Sequence, residues 1–342
     1  MLETVFASLY KRGGIRLNDS IITIEGLHKS FKIYKKDEGL LSSLRGYWGR
    51  KGKSILAVDG IDLKVQKGEI RGLIGPNGAG KSTTIKIMSG ILHPDEGKVE
   101  IMGMTPWKDR KRYVKNLGVL FGQKSQLNWD LPAVDTFALH REMYGIGMAK
   151  YRERIAYFGE LLNISEIMYK PVRLLSLGER MKCELVCALL HEPALIFLDE
   201  PTIGLDIISK QTIRNFIKRT NQDMRTTFIV TTHDVSDLED LCDKVTIINK
   251  GTVVFDDTMQ SLGSYFRDRK IIDVSFRELV PLDRLEDYKV LSYQALTAKI
   301  EVQLGEKDIK QYMSEIFDCY PIKDINISNI RIEDVIKHIY SA

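Results

Sequence analysis

The order of apolar and polar residues predicts an α/β core in the middle of the chain. Four short apolar runs are separated by helical stretches, and they occupy residues 70–74, 194–198, 227–231 and 245–248. Apolar strands that alternate with helices are typical of a parallel sheet with crossover helices. Before this core, alternating apolar and polar residues predict antiparallel strands over 21–34 and 55–65.

Two further patterns flank and interrupt this core. A mainly helical stretch from about 135 to 190 reads as an insertion into it. Beyond about 259 the chain predicts strands near 271–276, 298–302 and 322–327 and helices near 308–317 and 332–339. Because 342 residues are too many for one small domain, we expect a main body followed by a small α+β domain over 259–342.

Composition narrows the class of protein. The balance of 50 basic against 46 acidic residues is too mild to indicate nucleic-acid binding. Four cysteines lie at 183, 187, 242 and 319 without CxxC spacing, which predicts buried thiols in a reducing compartment; a metal pair at Cys183 and Cys187 is the less favoured alternative. No apolar run approaches the roughly 18–20 residues that span a bilayer, so we expect a soluble chain, and any membrane role must come through a partner.

Two segments near the start combine apolar and basic residues. The first, over 1–20, has apolar residues at helical spacing and predicts a short amphipathic helix. The second, over 35–53, carries six lysines or arginines beside leucines, Tyr47 and Trp48. It suits an anionic membrane interface or the surface of a membrane protein. A solvated loop between two strands is the alternative.

The stretch from Gly75 to Thr83, Gly-Pro-Asn-Gly-Ala-Gly-Lys-Ser-Thr, fits GxxxxGK[ST] between a strand predicted over 70–74 and a helix predicted over 84–91. Its glycines let backbone N–H groups turn toward one anion, Lys81 reaches the outer phosphates, and Ser82 can ligate Mg²⁺. A nucleoside triphosphate is the implied ligand. The predicted contacts are Gly75, Asn77, Gly78, Ala79, Gly80, Lys81, Ser82 and Thr83.

Two more elements carry candidate chemistry. The run Leu195–Leu198 delivers Asp199 and Glu200 to the carboxyl end of a strand, where the first can hold Mg²⁺ and the second can polarise an attacking water. Without the phosphate loop, solvated acids would be the favoured interpretation. Further back, Ser176 and Glu179 form an S-x-x-E pattern, which predicts a capping box and also a second anion site at a helix N-terminus.

These elements together resemble the nucleotide-binding domain of the ATP-binding cassette (ABC) ATPases. The resemblance spans about 21–257 and rests on the ordered set Gly75–Thr83, Gln123, Leu175–Glu179, Leu195–Glu200, Gly204–Asp206 and His233. It implies a P-loop NTPase fold with a mostly parallel sheet core, an antiparallel β subdomain and a helical subdomain over about 129–190. The implied nucleotide-binding domain occupies 21–258.

The resemblance also implies roles for individual residues. Gln123 resembles the glutamine that joins the magnesium shell and senses the transmembrane partner, and His233 resembles the histidine near the γ-phosphate. Phe31 matches the aromatic that stacks on adenine, with Tyr34 as the alternative. The residues implied to close on the triphosphate of a second subunit are Ser176, Gly178, Glu179 and Asp206. By itself, a lone histidine after a strand is more often structural.

Two positions depart from the family pattern. Leu177 stands where a first glycine is usual, and Ile203 stands where a small residue commonly precedes Gly-Leu-Asp. The sequences around them, at 175–182 and 201–206, are most similar to those of ATPase subunits of bacterial ABC-2-type exporters. We therefore expect an ATP- and Mg²⁺-dependent ATPase, peripheral on the cytoplasmic side of the membrane, that pairs with a second nucleotide-binding domain and drives separate permeases.

Two alternatives belong to other classes of protein. A soluble ABC protein acting on nucleic acid or ribosomes usually has a long coiled-coil insertion or two cassettes, and this chain has one phosphate loop and no heptad run. A low-turnover nucleotide switch has no need of a base such as Glu200. The transported substrate is not encoded in any motif of the chain.

Overall fold

The computed structural model describes residues 20–33, 53–122, 124–232, 234–266, 268–305 and 307–341. The predicted N-terminal helix, nearly all of the basic segment over 35–53, and three predicted site residues lie outside this description, namely Tyr34, Gln123 and His233. The chain divides into two compact units, the first ending at Asp256 and the second beginning at Asp257.

A six-stranded sheet forms the centre of the first unit, with the strand order β5-β6-β7-β3-β8-β9. Its strands are β3 (Ile70–Ile74), β5 (Leu117–Phe121), β6 (Leu195–Asp199), β7 (Thr227–Thr231), β8 (Lys244–Asn249) and β9 (Thr252–Thr258). The pairs from β5 through β8 are parallel, and β3 and β7 are buried along their whole length. The carboxyl ends of β3 and β6 therefore share one edge of the sheet, with only β7 between them.

A three-stranded antiparallel sheet packs into the same unit. It comprises β1 (Ser20–Ile33), β2 (Lys53–Gln66) and β4 (Glu96–Ile101) in the order β2-β1-β4. Apolar residues of both sheets, such as Ile22, Leu73 and Phe197, form one continuous core. Through this core the antiparallel sheet is held beside the phosphate loop that follows β3.

The helices of the first unit connect these strands. They are α1 (Lys81–Met88), α2 (Arg110–Tyr113), α3 (Ala133–Tyr144), α4 (Met148–Leu162), α5 (Leu177–Leu189), α6 (Ile207–Met224) and α7 (Val235–Leu241). Helices α3 to α5 lie between β5 and β6 in the chain, as the helical pattern predicted. None of the helices in the described residues combines the length and the apolar character needed to cross a membrane.

The helix after the phosphate loop begins earlier than its apolar pattern indicated. We expected it from residue 84 to 91, whereas α1 runs from Lys81 to Met88 and Ile91 is exposed. The cause is Gly80, which takes a left-handed conformation (φ +111°) that ends the loop and starts the helix at the next residue. The polar residues Lys81 to Thr83 are thereby helical even though they add nothing to the apolar periodicity.

The second unit is a small α+β domain with its own core. Its antiparallel sheet has the order β11-β12-β10-β13, formed by β10 (Arg269–Phe276), β11 (Lys289–Gln294), β12 (Thr297–Gln303) and β13 (Ile322–Asn329). The helices are α8 (Met259–Gly263), α9 (Ile309–Cys319) and α10 (Ile332–Ser341). Strand β11 was not predicted, and the prediction of a buried thiol is wrong for Cys319, which ends α9 and is exposed.

Candidate active site

The phosphate loop is shaped by close backbone contacts that only glycine permits. A Cβ atom on Gly80 would lie 2.5 Å from the carbonyl oxygen of Ala57 on β2, and one on Gly75 would lie 2.1 Å from that of Ile248 on β8. Both distances are too short for any side chain. The glycines of the motif thus seat the loop between the two sheets and fix the start of α1.

Lys81 is the buried cation of this loop. Its side chain is 8% exposed, and Nζ donates hydrogen bonds to the carbonyl oxygens of Gly75 (2.7 Å) and Pro76 (3.1 Å). The pKa of Lys81 lies below its ordinary value, because the lowering by desolvation exceeds the raising by the nearby carboxylates of Glu200 and Asp199. The Lys81 side chain therefore interacts with the phosphate loop through hydrogen bonds and with the two carboxylates through charge.

Asp199 and Glu200 are positioned by the neighbouring strand β7. Thr231 is paired with Asp199 in the parallel register, and Thr231 Oγ1 donates a 2.6 Å hydrogen bond to Asp199 Oδ1. The backbone N–H of Glu200 donates to both oxygens of Thr231 at 3.1 Å. Glu200 itself has φ +55°, an uncommon conformation for a residue with a side chain. The backbone turns there and aims the second acid away from the strand.

These groups meet in one cleft of about 830 Å³, a volume within the usual range of small-molecule sites. The predicted residues that line it are Phe31, Asn77, Gly78, Ala79, Gly80, Lys81, Ser82, Thr83, Asp199 and Glu200. Two basic side chains that the sequence analysis did not select, Lys86 and Lys124, also line the cleft. The sequence offered a way to select both lysines, because each is a basic residue within four positions of a predicted site residue.

The oxygen donors of the cleft fit a hard divalent cation. Ser82 is exposed at the start of α1, and Asp199 is half-buried at the end of β6. Hydroxyl and carboxylate oxygens are ligands that Mg²⁺ accepts, usually together with waters and substrate phosphates. The cleft therefore contains two oxygen donors of the kind that Mg²⁺ accepts.

The predicted anion site at Ser176 is a complete capping box. Ser176 N donates to Glu179 Oε2 (2.8 Å), and Glu179 N donates to Ser176 Oγ (3.2 Å). The hydrogen bond from the Ser176 backbone holds the pKa of Glu179 below its ordinary value. Gly178 packs against the start of α6, since an added Cβ would lie 2.5 Å from Ser209 Oγ, and Asp206 caps that helix through Ser209 N (2.9 Å).

The predicted site residues are thus divided between two surfaces. In the described part of the chain, the cleft is not lined by Ser176, Gly178, Glu179 or Asp206. These four residues are grouped instead where α5 and α6 begin. Ile203 belongs to the loop before α6, is 53% exposed and also lines the cleft.

Comparison with known proteins identifies the family. The family model described as ABC transporter matches residues 58–203. The chain is 30% identical over 230 residues to the ABC transporter ATP-binding protein NatA of Bacillus subtilis (strain 168), an alignment that covers 67% of this chain and 93% of NatA. The chain belongs to the ABC transporter ATP-binding proteins.

A second relative and a solved structure agree with this assignment. The ABC ATPase chain is 30% identical over 265 residues to the linearmycin resistance ATP-binding protein LnrL of the same organism, covering 75% of the chain and 85% of LnrL. A structure described as the ATP binding subunit of an ABC transporter superposes with a TM-score of 0.58 at 25% identity, covering 72% of this chain and 93% of that one. The predicted ABC-type fold, the ATP ligand and the ATPase activity are confirmed.

Proposed function

We propose that this ABC ATPase drives export of a substrate through separate ABC-2-type membrane permeases. The observation that carries the ATP-hydrolysing part of the proposal is the meeting of Lys81, Asp199 and Glu200 in one cleft, because phosphoryl transfer to water requires a phosphate-binding cation, a metal ligand and a base. The relative LnrL is named for resistance to linearmycin, and moving a toxic compound out of the cell is one direct way to resist it. The soluble nucleic-acid or ribosome alternative is not favoured by these relatives.

Within the cleft, we assign a role to each polar group. The loop and Lys81 hold the β- and γ-phosphates, and Glu200 takes a proton from the attacking water. Ser82 and Asp199 would hold Mg²⁺, which would neutralise charge at the phosphates. Gln123 would join the Mg²⁺ shell and His233 would contact the γ-phosphate. Phe31 stacks on adenine at the rim of the cleft, where it is 37% exposed.

We further propose that a second nucleotide-binding domain completes the cleft. Ser176, Gly178, Glu179 and Asp206 are grouped outside it, on a surface that presents a helix N-terminus. A helix N-terminus favours an anion. In a head-to-tail pair, this surface of one chain would cover the triphosphate in the cleft of the other. Either two identical copies or a related subunit would satisfy the arrangement.

An exposed apolar surface on the helical subdomain suits a permease. The backbone of Trp129 and Leu131 is paired with the two residues before Leu174, because Arg173 N donates to Trp129 O and Val172 N donates to Leu131 O, both at 3.0 Å. All three apolar side chains are exposed. Apolar groups that lie together at a surface gain free energy when a partner covers them. We propose that the cytoplasmic face of the permease docks here, close to the loop that holds Gln123.

Membrane binding of the full chain tests this proposal. The double variant Trp129→Asp/Leu131→Asp should leave ATP affinity unchanged, lower the fraction that sediments with host membranes severalfold, and lower the ATPase rate of those membranes in parallel. Leu279→Asp, an exposed leucine of the second unit, is the matched control. Sedimentation of the wild-type chain with ribosomes or nucleic acid, and not with membranes, would favour the soluble alternative.

The basic segment over 35–53 lies outside the described residues, and its role stays a prediction. We propose that it contacts anionic lipid at the inner membrane surface. Replacing Lys35, Lys36, Arg50, Lys51 and Lys53 with serine should weaken binding to anionic liposomes, more so at low salt. ATPase activity in solution should not change. If the serine variant and the wild-type chain bind anionic liposomes equally at every salt concentration, the segment is a solvated loop.

A further inference from the structure

A buried carboxylate joins the helix that begins near Ser176 to the loop that follows Gln123. Glu184 lies in the middle of α5 and is 5% exposed. It accepts hydrogen bonds from the backbone N–H of Gln126, at 3.1 Å to Oε1 and 3.0 Å to Oε2, and from the Ser125 hydroxyl. Both donors stand two or three residues after Gln123.

The same loop is tied to the central sheet. The Gln126 side chain donates through Nε2 to the carbonyl oxygen of Val119 on β5 (2.9 Å). On the other side of Gln123, the N–H of Gly122 donates to the carbonyl oxygen of Asp199 (3.1 Å). Position 123 is therefore flanked by one anchor on the carboxylate strand β6 and another on helix α5.

The chemistry of the anchor requires a carboxylate. Burying an ionised acid is costly unless several donors solvate it, and here three hydrogen bonds from two residues do so. A glutamine at 184 would offer one acceptor oxygen and turn an NH₂ donor toward groups that are donors themselves. The hydrogen-bond donors around position 184 therefore favour glutamate over glutamine, although the two side chains have nearly the same shape.

The position of Glu184 links the anchor to the helix that begins at Ser176. It lies eight residues after Ser176, about 12 Å along the same helix at 1.5 Å per residue. The anchor therefore ties this helix to residues 125 and 126, which follow position 123 in the chain.

We propose that Glu184 is a positioning residue that couples helix α5 to the loop at 125–126, and that this coupling sets how strongly ATP binding and turnover respond to Mg²⁺. The inference rests on the proposed role of Gln123. In the described part of the chain, Glu184 does not line the cleft, so it acts through the loop and not on the reacting atoms.

The test compares full-length Glu184→Gln and Ser125→Ala with wild type by nucleotide titration and ATPase assays. ATP affinity in EDTA should stay within twofold of wild type, whereas the gain in ATP affinity on adding Mg²⁺ should shrink severalfold. The turnover rate of Glu184→Gln should fall at least tenfold, and half-maximal activity should need at least fivefold more Mg²⁺. Glu153→Gln, on the exposed face of α4, is the control and should match wild type.

Ser125→Ala keeps the test decisive if Glu184→Gln folds poorly, because it removes the other partner of the same hydrogen bond at an exposed position. It should change the Mg²⁺ response in the same direction, and the double variant should be no worse than Glu184→Gln alone. If the effects of the two substitutions multiply in the double variant, the coupling is wrong. It is also wrong if the single variants lose turnover and ATP affinity in EDTA to the same extent, or if they respond to Mg²⁺ as the wild type does.

Gln123→Ala separates this inference from the proposed function. If Gln123→Ala changes the Mg²⁺ response and the variants at 184 and 125 do not, then only the coupling is wrong. If Gln123→Ala leaves the Mg²⁺ response at the wild-type value, both the role of Gln123 and the coupling are overturned. ATPase assays on the chain without a permease suffice, so the outcome does not depend on export.

Discussion

Thr231 Oγ1 donates a 2.6 Å hydrogen bond to Asp199 Oδ1 across neighbouring parallel strands. The bond joins a buried hydroxyl on β7 to the carboxylate that we assign to Mg²⁺. It fixes one oxygen of that carboxylate, so the orientation of the metal ligand depends on a residue that does not itself bind the metal.

Thr231→Val should therefore lower activity without unfolding the chain. Hydrogen bonds to charged groups contribute roughly 1.5–3 kcal/mol, so we expect the ATPase rate at limiting Mg²⁺ to fall at least tenfold. Thr227→Val at the opposite end of β7 is the matched control; it loses the hydrogen bond that its hydroxyl accepts from Gly68 N. Equal ATPase rates in the two variants would show that the Thr231 hydroxyl does not orient Asp199.

Glu200→Gln should separate binding from turnover. The amide cannot accept the proton of the attacking water, so the ATPase rate should fall about 10²- to 10⁴-fold while ATP binding persists. Lys81→Ala should instead lose ATP binding, because it removes the cation of the phosphate loop. Titration with a fluorescent ATP analogue distinguishes the two. A Glu200→Gln chain with normal turnover would rule out Glu200 as the base.

Two capping boxes in the described residues allow a controlled test of the Ser176 surface. Asp308 and Gln311 form the second box, at the start of α9. Ser176→Ala and Asp308→Ala should each lower the free energy of unfolding by about 1 kcal/mol. Only Ser176→Ala should also reduce ATP-dependent dimerisation, measured by analytical ultracentrifugation on a Glu200→Gln background. Similar dimerisation in both variants would leave Ser176 with a capping role alone.

Arg214 should be essential to stability. Asp237 is 1% exposed and accepts hydrogen bonds from Arg214 Nε (2.6 Å), from Thr232 Oγ1 (3.1 Å) and from the Thr202 hydroxyl. Arg214→Ala leaves this carboxylate buried without its cation and should cost about 3–5 kcal/mol. Lys218→Ala, whose ion pair with Asp240 is exposed, should cost at most about 1 kcal/mol. Denaturant unfolding measures both.

His191 should make stability depend on pH. Burial lowers the pKa of His191 to about 4, and the ring stacks on Tyr144 at 3.9 Å. The pKa of histidine in the unfolded chain is near 6.5, so the folded state is favoured in full above pH 6.5, where the ring is neutral in both states. As the pH falls from 6.5 toward 4, only the unfolded chain binds the proton, and the free energy of unfolding should decline by about 3 kcal/mol. His191→Phe preserves the stack and should flatten the decline. An unchanged decline in this variant would assign it to other groups.

The sequence was informative wherever the determining pattern is local. The phosphate loop, the capping box at Ser176 and the strand ending in Asp199 each lie within about ten consecutive residues, so spacing alone identified them. The helix α1 was displaced by three residues because its first turn is polar. Strand β11 was missed because it mixes lysine, serine and glutamine with its apolar residues and lies at a sheet edge.

Contacts between distant parts of the chain were not predictable in this way. The partners of Asp199 and Glu184, Thr231 and Ser125, are separated from them by 32 and 59 residues. Nothing in the composition around these residues distinguishes them from other hydroxyls. Their roles follow only from strand order and from the packing of α5 against the loop after β5.

Ile203 lines the cleft, and about half of its side chain is exposed to solvent. Under the proposed pairing, a second chain covers this side chain. For chains in solution without a permease, pairing is a bimolecular event, so the ATPase rate per molecule should decline on dilution. A chain that is not paired would bind ATP without hydrolysing it. Docking on a permease would remove this dependence, because the permease would hold two chains at a high local concentration.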